Sequence, residues 1–91
     1  MELIDAPAVA ASIAGLAWTI DSGALVKVVR RDDFAGALRF VNAVGELAES
    51  AGHHPDVDIR WGTVTLRLST HSLGGITDAD VDLARRIDDL A

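Results

Sequence analysis

Near its middle the hydrophobic pattern of this chain changes from a helical period to a period of two, and that change restricts the possible folds more than any other feature. Across residues 34–50, Phe34, Leu38, Val41 and the apolar positions of the stretch from Val44 to Ala48 recur at intervals of three and four, the spacing of one face of an α-helix. Gly52 then supplies a left-handed residue to end that helix. Beyond Pro55, Val57, Ile59 and Trp61 alternate with Asp56, Asp58 and Arg60. After Gly62, Val64, Leu66 and Leu68 alternate with Thr63, Thr65, Arg67 and Ser69. A period of two over both stretches predicts a pair of strands with one buried and one wet face. A helix with one apolar side and a sheet with one apolar face must cover each other.

The flanks extend the same logic. Asp5-Ala6-Pro7 reads as a helix start, with Asp5 as N-cap and Pro7 in the first turn, where a missing N–H is harmless. Val9, Ile13 and Leu16 carry that helix to about Gly15. Trp18-Thr19-Ile20, the turn residues Asp21-Ser22-Gly23 and the Val-rich run 24–31 predict two antiparallel strands on a tight turn, and Asp32-Asp33 caps the long helix. After the loop 70–76, Thr77 with Asp80 forms an N-terminal capping pair, and Val81, Ala84 and Ile87 predict a last helix. The expected architecture is α+β, order α-β-β-α-β-β-α: a two-layer sandwich with a four-stranded antiparallel sheet and helices on one face. Residues 1–91 are expected to form a single domain, since a chain of this length has material for one core. The uncovered sheet face and any open edge strand invite self-association.

Composition narrows the function classes. A net charge of −6 and a pI near 4.7 argue against nucleic acid as a partner, because such binding rests on Lys and Arg neutralising phosphate. Arg30 and Arg31, with Lys27, read as a solvated strand edge. The apolar stretch 6–18 is interrupted by Ser12 and Gly15 and is shorter than the roughly 18 to 20 residues of a membrane span. Its flank carries Glu2 and Asp5, not the cations of a signal peptide. A soluble cytoplasmic protein with no membrane partner is expected. With no Cys there is neither a disulfide framework nor a thiolate metal site.

Of the three histidines in the chain, His53 and His54 stand together where the long helix ends, against Pro55. His71 follows the second of the two alternating strands. If those strands pair as a meander, the chain returns His71 to the end where His53 and His54 begin. Imidazole, with an unperturbed pKa of about 6.5, gives and takes protons near neutrality, so a cluster of three suits proton-transfer catalysis. A purely structural role is also open, since a His beyond a helix C-terminus complements its dipole. A three-histidine zinc site is the less favoured third option: adjacent histidines seldom point the same way, and no carboxylate or Cys lies at usual ligand spacing. Glu49, one helical turn before His53, is placed to orient it or simply to face solvent. Trp61 reads either as a core anchor of its strand or as an apolar wall for a flat heterocycle. Gly74-Gly75 reads as a turn, not a phosphate loop.

Taken together, "E49-x-x-x-H53-H54-P55", the aromatic Trp61, "S69-T70-H71" and "G75-I76-T77-x-x-D80" resemble pterin-4a-carbinolamine dehydratase. The central helix and Trp18 extend the resemblance over nearly the whole chain. It implies dehydration of 4a-hydroxytetrahydropterin to quinonoid dihydropterin and water, the recycling step of tetrahydrobiopterin after aromatic amino-acid hydroxylases, with no metal or organic cofactor. It further implies a small-molecule pterin substrate, a homodimer or homotetramer built by joining sheets, and a functional link to phenylalanine hydroxylase. By family correspondence His53 and His71 are the acid/base pair, His54 positions the substrate and Glu49 orients an imidazole. Gly52, Trp61, Ser69, Thr70 and Ser72, with the three histidines, line the pterin site. Three positions depart from the common pattern: Gly52 replaces a frequent polar residue, Ser72 a frequent acidic one and Ile76 a common Leu. The alternative within the family is a catalytically silent assembly or dimerisation factor that binds another protein.

Overall fold

A computed structural model describes residues 1–90. The elements follow the expected order: α1 (Ala6–Ser12), β1 (Thr19–Asp21), β2 (Ala24–Arg30), α2 (Phe34–Ala51), β3 (Asp56–Arg60), β4 (Thr63–Leu68) and α3 (Asp78–Asp88). The four strands form one antiparallel sheet in the spatial order β1-β2-β4-β3. Local chemistry sets most boundaries. The Asp5 carboxylate accepts from the Ala8 N–H at 2.9 Å, and Asp33 accepts from the Gly36 N–H at 2.7 Å, each satisfying a donor with no partner inside its helix. Ser22 and Gly23, both at positive φ, make the two-residue turn whose twist suits a β1–β2 hairpin.

Strand parity decides what faces the helices. The register pairs Leu25 with Leu68 and Val29 with Val64, and Ile59 with Val64, so these side chains share one face. Leu25, Val64, Leu66 and Leu68 are fully buried there, under Ala37, Phe40, Val44 and Ala48 of α2 and Val81, Ala84 and Ile87 of α3. Each such Val, Leu or Ile contributes about 1.5–3 kcal/mol relative to exposure. Val28, Thr65, Asp58 and Arg60 lie on the opposite, open face.

Three expectations need correction. The long helix buries Ala37, Phe40, Val44 and Ala48, while Phe34 and Leu38 of the expected stripe remain 48% and 38% exposed. Two apolar stripes run along α2, and the one carrying small Ala37 and Ala48 lets the helix approach the sheet closely. Lys27 is not at a solvated edge: parity turns it to the core face, where its ammonium meets Asp88 Oδ1 of α3 at 3.0 Å. The Trp18 indole N–H donates to the same oxygen at 2.8 Å, and the ammonium lies 5.8 Å from the Trp18 ring centroid. A cation turned inward needs such a partner. Trp61 is no core anchor. It occupies the β3–β4 turn with φ +51 and is 70% exposed. The other turn residue, Gly62, is pressed against the connection between β2 and α2: its carbonyl accepts from the Arg31 N–H at 2.8 Å, and a Cβ there would collide with the Arg31 carbonyl oxygen.

Candidate active site

The end of the sheet opposite Trp61 gathers the histidines. Gly52, at φ +62, closes α2, and the His53 N–H reaches back to the Ala48 carbonyl at 3.1 Å, the six-to-one bond of a Schellman closure. The helix end thereby holds the His53 backbone. Pro55 favours an extended His54, and neighbours along extended backbone face opposite ways. The two imidazoles separate accordingly, His53 inward and His54 outward. From the far side, β4 continues through Ser69 to Thr70, which bridges to Gly75. Within that loop the Thr70 carbonyl accepts from the N–H groups of Leu73 and Gly74, and the loop presents His71. One open depression of about 260 Å³ results, lined by Gly52, His53, His54, Ser69, Thr70, His71 and Ser72.

Each imidazole has a carboxylate within ion-pair range of its Nε2. His53 Nε2 lies 2.5 Å from Oδ1 of Asp80, whose side chain is fully buried. The other Asp80 oxygen accepts from the Thr70 hydroxyl and from the Thr77 N–H, both at 2.9 Å, and the Thr77 hydroxyl lies 2.8 Å from that of Thr70. A carboxylate removed from water requires such donors. His54 Nε2 contacts Glu49 Oε2, with both side chains exposed. His71 Nε2 stands 4.0 Å from Asp56 Oδ2, again at the surface. A carboxylate can accept a ring N–H and so fix the tautomer. The opposite nitrogen is then left for chemistry.

The whole-chain comparison decides the family. A family model described as "Pterin 4 alpha carbinolamine dehydratase" matches residues 2–90. The chain belongs to that family. It is 54% identical over 74 residues to a Nocardia farcinica protein provisionally named pterin-4-alpha-carbinolamine dehydratase, covering 81% of this chain and 78% of that one. A Mycobacteroides abscessus protein with the same provisional name is 48% identical over 89 residues, 97% of this chain and 95% of its own. Among solved structures, a transcriptional coactivator/pterin dehydratase from Brucella melitensis superposes with a TM-score of 0.91 at 26% identity over 99% of both chains. A pterin dehydratase-like RuBisCO assembly factor of the α-carboxysome superposes with a TM-score of 0.66 at 24% identity, covering 81% of this chain and 86% of that one. That second likeness speaks to fold alone.

Against this dehydratase-family frame, the structure brings together Gly52, His53, His54, Ser69, Thr70, His71 and Ser72, with Glu49 beside them. Glu49 meets His54, not the His53 that its one-turn spacing suggested, because His53 turns inward to Asp80. The Thr70 hydroxyl is spent on Asp80. Trp61 is not in the cluster: β3 separates it from His54 by roughly 16 Å of strand at ~3.3 Å per residue. Two acidic partners escaped the sequence reading. Asp80 was legible as half of a capping pair, a role it also performs through Thr77, and as the last position of the family motif, but not as the partner of His53; Asp56 looked like one more wet-face strand residue. Among the described residues no group of three or more His, Asp or Glu is placed to hold a metal ion.

Proposed function

We propose that this chain dehydrates 4a-hydroxytetrahydropterin to quinonoid dihydropterin by histidine acid/base catalysis, as a lyase of tetrahydrobiopterin recycling. The observation that carries the reading is the convergence of three imidazoles on one depression, each with a carboxylate near its Nε2. The reaction needs a proton delivered to the 4a-hydroxyl as the C4a–O bond breaks and water leaves. It also needs a proton removed from a ring nitrogen, whose N–H electrons form the new C=N bond. His53 and His71 are the acid/base pair, His54 positions the pterin, and Glu49 holds His54. Backbone groups and Ser69 and Ser72 at the strand end bind the heterocycle edge. The chemistry as written consumes no metal or organic cofactor. A single dehydratase domain, a cytoplasmic location and a functional link to phenylalanine hydroxylase belong to the same reading.

The deciding experiment generates the carbinolamine enzymatically and follows its dehydration with wild-type protein and with His71→Ala. Acceleration by the wild type that is lost in a folded mutant supports the dehydratase. Absence of acceleration by folded wild type overturns it. A second reading, an assembly or dimerisation module, is favoured by the exposed apolar side chains Phe34 and Leu38 on α2, Val57 on edge strand β3 and Trp61 at the turn. The homodimer or homotetramer implied by the resemblance would cover part of this surface, and sedimentation of wild type against Leu38→Glu tests it: an unchanged mass counts against that surface.

A further inference from the structure

We infer that Asp56 is the positioning residue of His71, a role that rests on the dehydratase reading above. Asp56 stands directly across the β3–β4 ladder from Arg67, the cross-strand partner that would ordinarily hold it. Arg67 is engaged elsewhere. Its Nη1 donates to Asp21 Oδ2 at 3.1 Å, and its Nη2 donates to the carbonyls of Asp21 and Ser22 at 2.9 and 3.4 Å. With both arms of the guanidinium held by the β1–β2 turn, the Asp56 carboxylate is left to face His71, 4.0 Å from Nε2. That spacing is an ion pair, not yet a hydrogen bond, and a small rotation of either exposed side chain or one bridging water closes it.

The contact completes a pattern. Carboxylates approach His53 and His54 through the same ring nitrogen, so all three imidazoles offer Nε2 to an acid. With its Nε2–H aimed at Asp56, His71 keeps Nδ1 as the nitrogen that exchanges a proton with the substrate. Asp56 touches no reacting atom in this scheme. Its effect is to hold one ring orientation, with Nδ1 turned to the depression.

Asp56→Asn is expected to lower kcat about tenfold with KM changed by less than about twofold, because the loss falls on proton transfer and not on binding. Asp56→Glu, which keeps the carboxylate and extends its reach, is expected to restore most of the rate. In a His71→Ala background, Asp56→Asn should cause no further loss, as expected for residues acting as one unit. Independently of turnover, the His71 ring resonances should move in Asp56→Asn while those of His53 and His54 stay in place. Unchanged kcat, an equal additional loss in the His71→Ala background, or a stationary His71 signal would each overturn the assignment. If wild type fails to dehydrate the carbinolamine, the function falls first, and the resonances still decide whether Asp56 holds His71.

Discussion

One side of the histidine cluster is built like a core and the other like a surface, although both place a carboxylate at an imidazole Nε2. His53 meets Asp80 in the interior, and Thr70 and Thr77 fill the remaining acceptor sites of that carboxylate. His54 and His71 meet Glu49 and Asp56 in water, with side chains 60% and 69% exposed. The buried half gains geometric definition from its satisfied hydrogen bonds and weak screening. The exposed half stays open to solvent, and its ion pairs contribute little to stability. The two halves meet at Thr70, whose side chain serves Asp80 while its backbone starts the loop that presents His71.

The first test of that division is catalytic. His71→Ala is expected to lower the dehydration rate about 10²–10⁴-fold while leaving the thermal midpoint where it was; a large fall in the midpoint would show that His71 is structural after all. Next in size, Asp80→Ala should destabilise the fold by about 3 kcal/mol, because it strands the Thr77 N–H and unpairs His53. For a chain of this size the thermal midpoint should fall by more than about 10 °C, and an unshifted midpoint would erase the distinction between the two halves. Gly52→Ala places a Cβ at φ +62 in otherwise open space, so a loss of about 1 kcal/mol is expected in urea unfolding. Glu49→Gln should change stability by less than about 0.5 kcal/mol. A Glu49 effect as large as that of Asp80 would mean that exposure does not separate the pairs.

The glycines illustrate how much of the fold was readable locally. Gly52 and Gly23 both sit at positive φ where the sequence reading ended a helix and turned a hairpin. Strand alternation over 63–68 placed Val64, Leu66 and Leu68 inward as observed. Errors arose where two local patterns were equally good. On α2, Phe34-Leu38-Val41 and Ala37-Phe40-Val44 are both helical stripes, and only docking against the sheet and α3 selects one. In the site, the histidines and their loop were visible because adjacent imidazoles next to Pro are unusual in any surface segment. Their partners were not, since Asp80 is 27 positions from His53 and its first local duty is a capping pair.

The sequence alone determined the order of elements, the places where the chain turns and the end of the sheet that carries imidazoles, because periodicity, capping and turn chemistry act within a few residues. Tertiary structure decided which helix face is buried, why Lys27 points inward, why Trp61 faces solvent at the far end, and which carboxylate each histidine meets. Those outcomes depend on strand register and helix docking, which bring together residues that no local pattern connects.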